Sequence, residues 1–475
     1  MRRFLSFTFP SSSLLTIYDR FFGKDLKAFL EAWNNIIPTT FRQLFAEAYS
    51  KALIRKLTAV ESSSYALLQN GWRIYNMEKE FERFQTHLTE WRLCDLNARF
   101  QLSETYPRII YVPRTVSDAE LLMSCRYRKD GRVPVLSWIH RNRNFLCHAS
   151  CPITDSKSTL AKEDDKLLTA IIAASVAPAN DTTQSPRYGR SSFSFSGRRY
   201  SNDAASAKSK KKLFKAITHR KSEKHQSPTV QEEQSFHEFY FVDLFHRNES
   251  SKPRDFSDDH FELPDGVSIG SDVLYVEGLT DLRESYKKLH RLCTGPYNTN
   301  TEEHWLNALD NTRWLDQLKN LMEATNRVVE LMEFGSSVFL SCPGGWDRGC
   351  QVSSLAQLWM DPYYRTIKGF MILIEKEWLS FGHAFVERNA VFSKDDNSEV
   401  VPVFIQWLDA VWQTLQQFPN YFEFNNALLV EIAEASFSGV FGTFLSDNEQ
   451  SRRSHLLRMN TESFWSHVID NFQYR

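Results

Sequence analysis

Three things are scarce in this sequence, and each scarcity narrows what the chain can be. Net charge is nearly absent: 57 Lys and Arg face 58 Asp and Glu. That balance gives no electrostatic reason to expect a nucleic-acid partner, because neutralising a phosphate backbone calls for a basic excess. Long apolar runs are missing, and none reaches the roughly 18 residues that a membrane span needs. The opening Met1-Arg-Arg-Phe-Leu-Ser-Phe-Thr-Phe-Pro10 imitates a secretion signal only faintly. Its apolar part is short, broken by Pro10 and followed by Ser11-Ser-Ser13. Paired cysteine is the third scarcity. Seven cysteines, odd in number and scattered, make no disulfide framework and fit a reducing cytosol. The close group Cys147-His148-Ala-Ser-Cys151 has no second pair at zinc-ligand spacing. No metal and no other cofactor is expected.

What the chain does have is apolar bulk. Hydrophobic residues make up 42% of its 475, with 36 Phe and 12 Trp, enough for one large or two modest domains around an aromatic core. Residues 1–68 read as mostly helical, from Leu26, Phe29, Leu30 and Trp33 and then Phe41, Leu44, Phe45 and Ala48 at helical spacing. From Gly71 onward strand and helix patterns alternate. Ile109–Val112, Val133–Trp138, Phe236–Phe245 and Asp272–Val276 read as strands. Asp118–Met123, capped by Ser117 or Asp118, then Asp164–Ala174 and Thr280–Leu292 read as helices. This alternation predicts an α/β fold: a central, mostly parallel sheet flanked by helices, with four or five amphipathic helices in a helical C-terminal part. Tyr364, Phe370, Trp378, Trp407 and Trp412 are expected in the core.

One stretch departs from this pattern. Between residues 181 and 235 apolar periodicity vanishes, and Arg187 to Lys224 holds twelve Lys or Arg against Asp203 and Glu223. It reads as a disordered insertion within a domain spanning 69–465, followed by a tail, 466–475. Such a stretch is a solvated loop, a nuclear-import-like run at Lys208–Lys212, or an electrostatic tether to anionic lipid.

The chemistry concentrates in Ser336-Ser-Val-Phe-Leu-Ser-Cys-Pro-Gly-Gly-Trp-Asp-Arg348. Val338, Phe339 and Leu340 predict a buried strand ending at Cys342. Val352, Leu355, Leu358 and Trp359 predict a helix after Arg348. A strand, a tight glycine-containing loop and a helix N-terminus make an anion cradle. The same positive field is expected to lower a thiol pKa, which makes Cys342 a candidate nucleophile. Arg348 supplies a planar fork for phosphoryl oxygens, and Asp347 a carboxyl for a leaving alkoxide. Together they describe phosphate-ester hydrolysis through a phosphocysteine.

Around this loop the sequence resembles the myotubularin family of phosphoinositide 3-phosphatases. The resemblance runs through Cys342–Arg348, Gln351, Asp361–Phe370, Ile374–His383, Val403–Trp412, Gln417–Asn425 and Phe441–Leu445. Upstream it includes Asn70–Tyr75, Thr105–Pro107 and Gly131–Trp138, and it spans about Gly71 to Trp465. It implies a cysteine-phosphatase-like sheet, and residues 1–68 as a possible remnant of a lipid-binding GRAM region. It also implies a phosphoinositide substrate in membranes and a cytoplasmic protein peripheral on endosomal or similar membranes. A partner is implied as well, as a homo- or hetero-oligomer with another myotubularin.

Carried over residue by residue, the resemblance makes Cys342, Asp347 and Arg348 catalytic. It makes Pro343, Gly344, Gly345, Trp346, His383 and Arg388 substrate-binding, with Trp346 a flat wall for the inositol ring. Several positions depart from the family. Pro343-Gly344 stands where Ser-Asp is usual, Gly349 where a hydroxyl is usual, and Ala384 where an arginine is usual. Glu277-Gly278-Leu279 replaces an Asn-containing motif. Two expectations follow: a weak 3-phosphatase, or a catalytically impaired pseudophosphatase that serves as a lipid- or partner-binding scaffold for an active relative.

Overall fold

The computed structural model describes residues 71–84, 87–153, 159–176, 237–245, 261, 263–264, 267–294, 302–389, 400–469 and 474. The helices expected in residues 1–68 and the basic stretch 181–235 fall outside these residues. The chain divides into a main unit, 1–177 with 237–475, and a second unit, 178–236. All described residues belong to the main unit.

Its centre is a five-stranded sheet of β3 (Val135–Ile139), β4 (Phe145–Ser150), β5 (His237–Phe245), β6 (Val267–Tyr275) and β7 (Ser337–Cys342). A separate antiparallel ribbon joins β1 (Trp91–Cys94) to β2 (Ile110–Pro113). The five strands lie in the order β3-β4-β7-β5-β6. β3 is antiparallel to β4, while β4, β7, β5 and β6 run parallel. β7 therefore sits in the middle with a parallel neighbour on each side. All six of its residues are buried, as its unbroken apolar run requires when both faces are covered.

Helices pack around this sheet as the alternating pattern predicts. Helix α1 (Asp118–Tyr127) starts from Ser117, whose hydroxyl and the Glu120 carboxylate form a reciprocal capping box. Helix α2 (Thr159–Ala174) is joined to the end of β4 by a buried bidentate pair. Asp164 takes the Arg128 Nε–H at 2.9 Å and an Nη2–H at 2.5 Å, and Arg128 Nη1 donates to the Ser150 carbonyl at 2.9 Å. Helices α3 (Leu279–Thr294) and α4 (Trp314–Glu333) lead into β7, and α5 (Arg348–Met360) leaves the loop after it. Then come α6 (Ile367–Ile374), a π-helical segment Glu375–Ser380, α7 (Phe385–Asn389), α8 (Val403–Gln417) and α9 (Asn426–Ser438). The five aromatics expected in the core are all buried. Trp407 stacks on Phe370 at 5.6 Å and meets Trp378 at 5.3 Å.

Three features differ from the sequence reading. β4 was not anticipated, because Cys147, His148 and Ser150 interrupt its apolar run; here the whole strand is buried beside β7. β6 begins at Val267, earlier than expected, since Ser268, Gly270 and Ser271 dilute the pattern of this edge strand. A boundary at residue 465 would cut the helix Phe464–Ile469. That helix closes on the first described residues, where Gly71 N–H donates to Ser466 Oγ at 3.2 Å, and Tyr474 beyond it is buried.

Candidate active site

The carboxyl ends of β5, β6 and β7 open onto one cavity of about 530 Å³, with Leu244, Val276, Glu277, Asp281, Cys342, Asp347 and Arg348 in its wall. A crevice at the carboxyl ends of parallel strands is the usual ligand position in open α/β sheets. The five residues between Cys342 and Arg348 turn the chain from β7 into α5. Gly345 makes the turn possible. Its φ is +75°, and a Cβ there would lie 3.0 Å from Arg132 Nε and 3.1 Å from Ser150 N. So closed a loop turns the N–H groups of Gly345 and Gly349 onto the Cys342 sulfur.

The loop is held from behind by a residue the sequence reading passed over. Arg132 is fully buried against the Tyr106 ring, 4.4 Å from its centroid. Its Nη2 donates to the carbonyls of Gly345 at 2.9 Å and Phe381 at 2.7 Å, and its Nη1 to Thr105 Oγ1 at 3.0 Å. Cys151 adds two contacts, N–H to the Cys342 carbonyl at 3.0 Å and thiol to the Pro343 carbonyl at 3.2 Å. The one sequence signal for Arg132 was its place inside the Gly131–Trp138 motif. Nothing local distinguishes a buried arginine from a surface one.

Asp347 and Arg348 are both buried, with opposite partners. The Asp347 carboxylate takes Arg388 Nη2 at 3.0 Å and Nε at 3.3 Å, and His383 Nδ1 lies 3.1 Å away. Burial alone would raise this carboxyl, but the His383 hydrogen bond and the Arg388 charge outweigh it and hold the group well below the usual carboxylate range. Arg348 gives both Nη1 hydrogens to glutamines, Gln351 Oε1 at 2.6 Å and Gln406 Oε1 at 2.7 Å, and one Nη2 hydrogen to the Glu277 carbonyl. Its Nε–H is buried with no partner among the described residues. A buried unpaired donor costs about 1–3 kcal/mol unless something accepts from it. Burial pulls the guanidinium down to about 10.

Cys342 corrects one expectation. Burial pushes its thiol up to about 12, although the N–H groups of Gly349 and Gly345 and the Arg132 charge act in the opposite direction. The positive field is present, but desolvation of the buried sulfur outweighs it. A raised thiol is protonated at neutral pH, so its reactive fraction grows about tenfold per pH unit. The rate of carbamidomethylation of Cys342, followed by peptide mass spectrometry, is expected still to be climbing above about pH 9, where an ordinary thiol has levelled off. A plateau near neutral pH would contradict this ordering of burial over field.

The other predicted contacts divide between the two sides of the loop. Pro343, Gly344 and Gly345 line the cavity. Trp346 does not; its indole covers Gly344, whose Cβ would sit 3.1 Å from Trp346 Nε1, and lies 5.5 Å from the Arg132 guanidinium. His383 is fully buried among Trp378 and Phe385, with Nδ1 2.9 Å from the Trp346 carbonyl. His383 and Arg388 thus orient Asp347 from beneath the loop and do not line the cavity. Arg365, within the Asp361–Phe370 motif, donates Nη1 to the carbonyls of Leu358 and Trp359 at the end of α5. Ala384 is buried.

Comparison with known proteins agrees with this geometry. Residues 52–453 match the model of the myotubularin-like phosphatase domain. The chain is 33% identical over 403 residues to the phosphatidylinositol-3,5-bisphosphate 3-phosphatase MTMR2 of Mus musculus, covering 84% of this chain and 53% of that protein. The same enzyme of Gallus gallus is also 33% identical, covering 84% and 60%. Myotubularin of Rattus norvegicus is 31% identical over 405 residues, covering 85% and 57%. The chain spans about half the length of the curated relatives it matches.

Proposed function

The chain belongs to the myotubularin family of phosphatases, and from that premise we propose that its Cys342–Arg348 loop removes the 3-phosphate from phosphatidylinositol 3-phosphate, and more slowly from the 3,5-bisphosphate. The observation that carries the reading is the convergence at Cys342. The Gly345 and Gly349 N–H groups act on its sulfur, and Arg348, in the same cavity wall, keeps a buried N–H without an acceptor among the described residues. A phosphoryl group supplies the missing acceptors.

In this mechanism the Cys342 proton passes to Asp347 as the substrate enters, and the Cys342 thiolate so formed attacks phosphorus. The S–P bond forms as the bond to the inositol 3-oxygen breaks, and Asp347 gives that oxygen a proton. The incoming phosphate is itself an anion beside Asp347, which raises the proton affinity of a carboxyl otherwise held low by Arg388 and His383. Asp347, then a carboxylate, takes a proton from water as water attacks the phosphocysteine. The S–P bond breaks, phosphate leaves and the thiolate returns. Arg348 and the loop N–H groups hold the oxygens throughout. With Ala384 in place of an arginine, a second ring phosphate has one charge-assisted partner fewer, which favours the monophosphate.

The resting loop also supports a second reading, a scaffold that binds phosphoinositide or another myotubularin without turnover. Pro343 has no N–H to give, the Cys342 thiol is held protonated, and Arg348 is engaged by Gln351, Gln406 and Glu277. Either way we place the protein at the cytoplasmic surface of phosphoinositide-bearing membranes. No helix among the described residues is long and apolar enough to cross one.

Phosphate release from short-chain phosphatidylinositol 3-phosphate separates the readings. Combining Pro343→Ser, Gly344→Asp and Gly349→Thr is expected to raise a low wild-type turnover by about 10²-fold, since one well-aimed donor is worth about 10²–10³ in rate. The Gly349 Cβ position lies 3.0 Å from Cys342 Sγ, so Gly349→Thr brings a hydroxyl beside the sulfur with a small shift of the Cys342 side chain, and Gly344→Asp needs the Trp346 ring edge to yield. Headgroup binding without release, in wild type and triple variant alike, would favour the scaffold.

A further inference from the structure

Beyond the loop, the chain after α9 builds a small surface with two properties that rarely coincide. Helices α10 (Glu449–Ser454) and α11 (Leu457–Asn460) are separated by Leu456, whose φ of 51° is uncommon for a residue with a side chain. The break sends neighbouring side chains in opposite directions. Leu457 is fully buried and forms, with Trp72 and Leu445, an apolar cluster apart from the main core. Trp72 Nε1 donates to the Thr461 carbonyl at 3.0 Å, which fixes the segment on that cluster. Leu456 and Met459 stand out to solvent at 52% and 76% exposure. A rigid base thus presents two bare apolar side chains.

Cations gather around this tip. Arg452 is spent on Glu375 at 3.1 Å, and Arg453 leans on Glu449 at 3.0 Å while staying half exposed. Arg73 and Arg458 are exposed and make no hydrogen bond or ion pair among the described residues. Partial burial of its guanidinium, and then the charges of Arg73, Arg453 and Arg452, pull Arg458 below its ordinary value. Like charges that act on one another are unfavourable unless an anion joins them.

We propose that the Leu456–Met459 tip is a membrane contact, with both apolar side chains entering the headgroup layer of an anionic bilayer while Arg73, Arg453 and Arg458 meet its lipid phosphates and carboxylates. Cations beside a small exposed apolar tip match the interface of such a membrane, where apolar insertion and charge attraction add. Two exposed apolar residues are too few for the roughly 800 Å² per side of a stable protein interface. The contact concerns how the protein meets lipid and does not depend on turnover at Cys342.

The test is co-sedimentation of the full chain with vesicles of phosphatidylcholine, with and without phosphatidylserine. Wild type is expected to sediment with the mixed vesicles and far less with phosphatidylcholine alone. Arg73→Gln with Arg458→Gln should weaken sedimentation about 25-fold, taking about fivefold per arginine, and this loss should fade as salt is raised. Leu456→Ser with Met459→Ser should weaken it about tenfold, and that loss should persist in high salt. Both pairs lie on the surface, so thermal stability and hydrolysis of a soluble short-chain substrate should stay at wild-type levels. Four results would overturn the proposal. Wild type fails to bind mixed vesicles, or both pairs sediment like wild type. Only removal of the basic residues 187–224 releases the protein, or the patch binds an acidic polypeptide and no vesicle.

Discussion

Replacing Cys342 with serine is expected to lower turnover of phosphatidylinositol 3-phosphate by about 10⁴–10⁶, the scale on which an enzyme loses rate when its covalent nucleophile is removed. The sulfur is the atom on which the Gly345 and Gly349 N–H groups converge, and Cys342 shares a cavity wall with Arg348. A serine hydroxyl fits the same space beside the same N–H groups. It ionises far less readily than a thiol, and no described side chain is placed to take its proton except Asp347, which the mechanism already uses. The loss should therefore fall on kcat, with KM and binding of a soluble headgroup nearly unchanged. If serine retained a tenth of the wild-type rate, the covalent route would be wrong.

The second large effect concerns stability. Arg128 and Asp164 are both fully buried, joined by two parallel hydrogen bonds, and Ser124 Oγ adds a third to Asp164 at 2.7 Å. Removing one member of such a pair strands a charge in a low dielectric, typically at a cost of about 3–5 kcal/mol. Asp164→Ala is expected to cost that much, read as a lowered urea midpoint at unchanged slope. Adding Arg128→Met should restore most of it, because replacing a whole buried pair by apolar groups is close to neutral. The consequence reaches the site. Arg128 also holds the Ser150 carbonyl, and Cys151 beside it donates to the Cys342 carbonyl. A loss below about 1 kcal/mol for Asp164→Ala would show that water reaches the pair.

The loop itself was legible because its signals are local. An unbroken apolar strand, glycines at the turn and helical spacing afterwards occupy adjacent residues, and Gly345 carries the left-handed turn expected of such a loop. What failed to show was depth. Spacing places His383 and Arg388 near the loop, but only packing reveals that they grip Asp347 from below. The anion cradle suggested a low thiol pKa, yet the sulfur lies so deep that burial overrides the N–H groups around it. Arg132 escaped notice for a related reason: its acceptors, Gly345 O and Phe381 O, are 213 and 249 residues away in sequence. β4 was hidden by its own polar residues, which are unremarkable only once both faces of the strand are seen to be covered.

Covalent capture tests the phosphocysteine most directly. Wild-type protein mixed with excess short-chain phosphatidylinositol 3-phosphate is quenched in alkaline detergent during turnover, and the peptide carrying Cys342 is weighed by mass spectrometry. A fraction of that peptide is expected to carry one added phosphoryl group, absent from Cys342→Ser and from protein without substrate. Phosphate release at the wild-type rate with no such adduct, or release that survives in Cys342→Ser, would contradict it.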